Sequence, residues 1–211
     1  MPQVVIVSPA LRDANNGNWQ TARRWRQHLA PWFPTRIVKH WPDADAGRDK
    51  VMIALHARRS ADAIAAWSAA SPARGLAVVL TGTDLYRDIQ TDSTARRSLD
   101  FAQTLVVLQE CAPDSLPVEV RGKSRVIFQS TATRQTLAKS RNRLRLLMVG
   151  HLREEKSPET LFAAARLLAQ RHDIHIDHIG EALDPALGAA ARATMVAAPN
   201  YRWLGGQPHE A

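Results

Sequence analysis

Along this chain, short runs that are apolar without a break alternate with alanine-rich stretches of helical period. "QVVIVSPA" opens the series, and "NWQTARRWRQHLA" follows with Trp19, Ala22, Trp25 and Leu29 at helical spacing. "TRIVKH" and "KVMIALHA" read as the next strands. "SADAIAAWSAA" then sets Ile64 and Trp67 on one helical face behind Ser60, the expected N-cap. "GLAVVLTG", "TLVVLQ" and "SRVIFQS" complete the run. A strand that is apolar throughout has to be covered on both faces, and a parallel sheet with helices on each side does that. Residues 1–130 are therefore expected to form an α/β, doubly wound, Rossmann-like domain.

From Ser130 to Arg143 the text changes to "STATRQTLAKSRNR", polar, basic and without a period, which reads as a linker over 131–143 with room for a short helical turn. A new alternation follows over 144–211: strand "LRLLMVG", helix "SPETLFAAARLLAQRH", strand "IHIDHIG", helix "PALGAAARATMVAA", strand "YRWLGG". A free-standing open α/β sheet usually has more than three strands. The second domain thus reads as truncated, with an apolar sheet edge open to self-association.

The 211 residues are 45% hydrophobic and 23% charged, as in a soluble globular protein with a real core. One cysteine, Cys111, excludes an internal disulfide, suits the reducing cytoplasm and is expected to be a buried bystander. "VVIV" is too short for a signal-peptide core, and no apolar stretch reaches the ~18 to 20 residues of a membrane span. A net charge of +8 points to an anionic partner or to a solubilising field. Its arginines are scattered through helices and their flanks, with no zinc-finger spacing and no RNA-binding aromatic signature, so nucleic acid is not the expected partner.

Ligands of such sheets bind beyond the carboxyl ends of the strands. Four strand ends carry candidates. In "SPALRDANNGNWQ", Gly17 allows close backbone approach while Asn16 and Asn18 stand at a helix N-terminus; a plain turn and cap explains the same residues. In "VLTGTDLY", Thr81, Thr83 and Asp84 can hydrogen-bond a polar substrate or cap the next helix. In "VGHLREEKSPETL", Lys156 precedes a helix expected to start near Ser157, and His151 and Arg153 add donors for an anion; the alternative is a solvated ion-pair surface. In "RHDIHIDHIG", His172, His175 and His178 alternate faces along a strand and cannot converge, so no metal site is expected. Neither a P-loop nor a dinucleotide glycine fingerprint is present.

Taken together these segments resemble a GT-B glycosyltransferase of family 4. "LLMVGHLREEKSPETLFAAARLL" is similar to the family's strand, loop and helix whose G-R-L-x-x-x-K-G pattern holds the nucleotide diphosphate. Gly150, Leu152 and Lys156 match it, with His151 at the arginine position and Ser157 at the second glycine. "TGTDLY" resembles the family's H-G-T-D-x-Y segment with Thr81 for the histidine, and "NYRWLGGQPHEA" resembles its V-x-F-L-G strand. "VSPALRDANNGNWQTARRW", "TGTDLYRDI" and "VGHLREEKSP" together look like the selenosugar synthases of selenoneine biosynthesis. That resemblance implies a fold of two Rossmann-like domains, the first on the acceptor side and the second binding the nucleotide sugar. It implies transfer from a UDP-sugar, preferably UDP-N-acetylglucosamine, to selenophosphate with formation of a carbon–selenium bond. The donor diphosphate would meet Gly150, His151, Lys156 and Gly17, with Lys156, Arg153 and His151 as catalytic groups. Arg12, Asn16, Asn18, Thr21, Thr83 and Asp84 would receive the acceptor. No cofactor, metal or membrane is implied. The family's E-x7-E donor-sugar segment would lie beyond Ala211, so these 211 residues by themselves are expected to be inactive in transfer, and the competing expectations are a non-catalytic nucleotide- or phosphosugar-binding fragment and a family 4 enzyme with another acceptor.

Overall fold

The computed structural model describes residues 1–14, 16–131, 136 and 138–207. Asn15 of the first loop and residues 132–135 and 137 of the expected linker lie outside that set, and the linker's described residues hold no helical turn. Contacts divide the chain into two compact units, Met1–Thr133 and Arg134–Ala211.

The first unit is a six-stranded parallel sheet of β1 (Gln3–Val7), β2 (Thr35–Val38), β3 (Asp49–Leu55), β4 (Leu76–Val79), β5 (Thr104–Val107) and β6 (Ser124–Val126), in the order β2-β1-β3-β4-β5-β6. Each apolar run of the sequence supplies one strand. Alternation along the strands divides the core between two faces. Val5, Val7, Met52, Val78 and Leu105 pack with Ile64 and Trp67 of α2 (Ala61–Ala70) on one side. Ile6, Leu55, Val79 and Val106 pack with Ala22, Trp25 and Leu29 of α1 (Gly17–Leu29) on the other. Because β1 lies between β2 and β3, the chain reverses direction across the sheet there, and the loops after β1 and β3 flank the reversal.

Three local features differ from the sequence reading. Ser60 stands at the N-cap of α2, but its hydroxyl donates to the Leu55 carbonyl (2.7 Å) and accepts from no amide of the helix. Cys111 is exposed, because it opens a 3-10 turn held by the Gln109 side chain and not a strand. Between Asp84 and Phe101 lie a π-helical turn (Asp84–Asp88), the short α3 (Ile89–Thr91) and α4 (Ser93–Phe101). Asp92 caps α4 by accepting from the amides of Thr94 and Ala95 (2.8 and 3.0 Å). Its arginine-rich text hides a helix whose Ala95, Ser98 and Leu99 are buried. A last short helix, α5 (Val118–Arg121), precedes β6.

The second unit has β7 (Leu144–Val149), β8 (Ile174–Ile179) and β9 (Tyr201–Trp203), parallel and in the order β7-β8-β9. Phe162 and Ala165 of α6 (Pro158–Leu167) and Ala191 of α7 (Pro185–Ala197) pack with Ile174, Ile176 and Tyr201. His178 follows Ile176 into the buried side, while His175 and Asp177 alternate outward. Uninterrupted apolar character implies burial on both faces, yet β7 departs from this: Leu147 is 64% and Val149 66% exposed. Only β8 pairs with β7, and no β7 side chain joins the buried core among the described residues.

Candidate functional site

At the carboxyl ends of β7, β8 and β9 the backbone is tied tightly. The Gly150 amide donates to the Ile179 carbonyl (2.8 Å), Gly180 to Gly205 (2.8 Å), and Leu152 to Glu181 (2.8 Å). A Cβ built on Gly180, whose φ is +155°, would lie 1.9 Å from the Gly150 oxygen, so only glycine lets the two segments touch. Trp203 donates its indole N–H to the Gly180 carbonyl (2.7 Å). His178, fully buried, bridges the Tyr201 hydroxyl and the Gly150 carbonyl, each at 3.0 Å. The sequence pattern sets His178 and His175 on opposite faces but gives no sign of this brace.

His151 accepts the Glu181 amide hydrogen at Nδ1 (3.0 Å), so the neutral ring carries its own hydrogen on Nε2. Beyond the buried Leu152, Arg153 leads into a 3-10 turn over Glu154–Lys156. Among the described residues Arg153 Nε has no hydrogen-bond partner, and it lies 3.9 Å from the Glu155 carboxylate. Ser157 is left-handed, φ 46° and ψ 50°. This gives a physical reason for glycine at that place in the resembled pattern, since an L side chain there meets its own backbone. The Ser157 hydroxyl pairs with that of Thr160 (2.9 Å), and no side chain caps the first turn of α6. The Lys156 stem passes Gly150, 3.6 Å from the place of a Cβ there, and the residue is exposed. Gly150, Lys156 and an uncapped helix start thus meet at one strand end, an arrangement suited to an anion.

In the first unit, Asn16 accepts the amide hydrogens of Asn18 and Trp19 (3.1 and 3.2 Å) and so caps α1. Space is open around Gly17, and Arg12 is exposed. Thr21 is buried: its hydroxyl donates to the Gly17 carbonyl (2.9 Å) and accepts from Gln129 (3.3 Å). Asp84 is buried as well, and its carboxylate accepts from the amides of Ala57, Thr81 and Gly82, each at 2.9 Å. It therefore ties the loop after β3 to the loop after β4. Thr83 is partly exposed and lies 3.2 Å from Nε2 of His56, a residue that sequence reasoning missed. The signal was a histidine ending the apolar run "VMIAL", read there as part of the strand. A cavity of about 310 Å³ opens beside these loops, with Lys39, His40 and Arg59 among its lining. Burial pushes the His56 imidazole below its ordinary range, against the pull of Asp84.

Among the described residues, no three His, Cys, Asp or Glu side chains gather to hold a metal, and no helix is long and apolar enough to cross a membrane.

No protein-family model matches the chain, and no curated protein matches it. Solved structures do. Anabaena HepE in complex with UDP and glucose aligns with a TM-score of 0.63 at 13% identity, over 99% of this chain and 70% of its own. The lipopolysaccharide outer core galactosyltransferase WaaB, in its apo form, gives 0.62 at 12% identity, over 100% and 69%. S. aureus TarM, in complex with fondaparinux, alpha-GlcNAc-glycerol and UDP, gives 0.52 at 9% identity, over 74% and 33%. The chain thus spans a third of TarM and about seven-tenths of the other two chains. Identities this low carry architecture and not chemistry. In architecture, with parallel sheets of six and three strands, the chain has the GT-B fold of these glycosyltransferases.

Proposed function

We propose that this chain is a glycosyltransferase that moves a sugar, N-acetylglucosamine by preference, from its UDP carrier to selenophosphate, making a selenosugar for selenoneine biosynthesis in the cytoplasm. In this reading residues 1–130 form the acceptor side, 131–143 the linker, and 144–211 part of the nucleotide-sugar side. The observation that carries it is the strand end where Gly150, His151 and Lys156 meet the uncapped start of α6. Two of the fold neighbours were solved with UDP, which supports a diphosphate as the anion.

The physical logic is electrostatic. Transfer from a nucleotide sugar passes through an oxocarbenium-like state while negative charge grows on the diphosphate. Fixed donors aimed at that charge lower the barrier without reorganising. Lys156 and, in the first turn of α6, the Glu159 amide supply them, since Pro158 has no N–H and Thr160 donates to Ser157, with the Nε2–H of His151 as a neutral donor and Arg153 as a second cation. Selenophosphate is itself an anion that ionises readily, so a strong base is not required. Lys39 and Arg59, set against the single carboxylate of Asp62, leave the lining of the cavity in the first unit net positive, which favours such an acceptor. Arg12, Asn18 and Thr83 would contact it, while Asn16, Thr21 and Asp84 hold the loops in place.

Incubation of the purified chain with UDP-N-acetylglucosamine and selenophosphate tests the proposal. Release of UDP with a product of selenosugar mass would support it. UDP binding by calorimetry without transfer would reduce the protein to a nucleotide-binding module. Binding of nucleic acid with a steep salt dependence, and none of UDP, would refute the reading altogether.

A further inference from the structure

His56 ends β3 with φ 72°, a left-handed conformation, and is only 2% exposed. Histidine is among the few non-glycine residues enriched in that region, and a buried residue held there is one that its surroundings dictate. Those surroundings fix its hydrogens. Nδ1 accepts the Arg59 amide hydrogen (3.3 Å), so a neutral ring must carry its hydrogen on Nε2. Nε2 lies 3.2 Å from the Thr83 hydroxyl oxygen. That oxygen is therefore an acceptor, and the hydroxyl's own hydrogen must point elsewhere. Among the described residues the hydroxyl has no other hydrogen bond. The nearby carboxylates are committed: Asp84 to three amides, and Asp88 to Arg58 (2.9 Å).

Resting on the acceptor reading above, we propose that His56 is a positioning residue that turns the Thr83 hydroxyl into an outward-facing donor for the acceptor oxyanion. A hydroxyl left to itself both gives and takes, and next to an anion only giving is useful. By filling the oxygen's accepting role, the imidazole commits the hydrogen to the ligand. The left-handed turn at His56 brings the ring back from the strand end to Thr83, two strands' loops being joined through one side chain.

Two substitutions separate this role from a purely structural one. Glutamine places an N–H where Nε2 stands but fits the left-handed turn poorly. Asparagine suits that turn and can still accept from the Arg59 amide, yet it is too short to reach Thr83. Inorganic phosphate is the probe, titrated by calorimetry with UDP at saturation so that the diphosphate loop is occupied. His56→Gln should keep phosphate affinity within about threefold of the parent, whereas His56→Asn and Thr83→Val should each lose about tenfold, as expected for one hydrogen bond to a charged group. Combining His56→Asn with Thr83→Val should lose no more than either alone. An asparagine variant that binds as well as the glutamine variant, or losses that add, would overturn the proposal. Long-range proton–nitrogen correlation in the parent protein should show His56 with its hydrogen on Nε2; a hydrogen on Nδ1 would also overturn it. A parent protein that binds UDP but no phosphate would remove the anionic-acceptor reading itself, a result distinct from the others.

Discussion

The ring of His178 holds the carbonyl of Gly150: Nε2–H donates to that oxygen across 3.0 Å, while Nδ1 takes the hydrogen of the Tyr201 hydroxyl. A carbonyl can only accept, so Nε2 carries a hydrogen, and burial favours the neutral ring, whose Nδ1 then accepts from an un-ionised Tyr201. The diphosphate loop proposed above therefore rests on a buried, uncharged relay from the third strand.

Neutrality of that relay makes the second unit pH-sensitive at both ends. Burial holds His178 below its ordinary value of 6.5, and burial pushes Tyr201 up to about 12. For His178 the folded value is the lower one, so its contribution is complete above about 6.5 and is lost as pH falls through the folded value. For Tyr201 the folded value is the higher one, so its contribution is complete below about 10 and is lost as pH rises toward 12. Urea unfolding across a pH series should show both declines. Tyr201→Phe should flatten the alkaline one and cost about 1 to 2 kcal/mol at neutral pH.

Lys156 should matter to chemistry and not to folding. It is exposed, and the surroundings ask only for its aliphatic stem beside Gly150. Lys156→Ala is expected to change stability by less than about 0.5 kcal/mol and to lower turnover of a UDP-sugar by about 100- to 1000-fold. A variant that melts early, or one that turns over normally, would strip the residue of that role.

Ser157 offers a test of the loop's backbone. Its left-handed φ of 46° suits glycine, while the contact of its hydroxyl with Thr160 favours serine. Ser157→Gly should therefore stay within about 1 kcal/mol of the parent, and Ser157→Val should fall about 1 to 2 kcal/mol below it. Chemical denaturation that ranked valine above glycine would contradict the conformation.

A further dependence is set by one ion pair in the first unit. Asp49 is inaccessible to solvent and accepts from Arg36 Nε and from the Trp41 indole, both at 3.0 Å. Arg36 also reaches Asp43 (2.6 Å), and these two carboxylates raise its pKa further. Removing the guanidinium leaves the Asp49 carboxylate buried without its cation, so Arg36→Ala should cost about 3 to 5 kcal/mol in urea unfolding.

Much of the architecture was legible because a parallel strand is apolar on both faces and prints an unbroken run. Among the described residues each of the nine strands coincides with one of the runs the sequence displays, β3 starting one residue earlier, at Asp49. α4 was harder to read, since a helix packed on a sheet by Ala95, Ser98 and Leu99 shows only small and polar letters between arginines. In the site, Gly150, Lys156 and the start of α6 could be read from local spacing because they adjoin in the chain. His56 and Thr83 are 27 residues apart, and His178 and Gly150 are 28, so nothing local announces that they meet. Cys111 shows the reverse error. A lone cysteine suggests burial by its chemistry, but its position on a turn decides its exposure.

Gly180 ties the two ends of the second unit into one heritable unit. Its missing methyl is what lets the strand end carrying Glu181 lie against the Gly150 carbonyl, and Trp203 of β9 fastens the same peptide. A lineage that reshaped the Gly150 loop would have to carry compatible residues at two further sites distant in sequence. Directed evolution confined to positions 150–157 would explore only variants that still fit a backbone fixed elsewhere. Libraries that vary 150–157, 178–182 and 201–205 together would follow the way this corner is built.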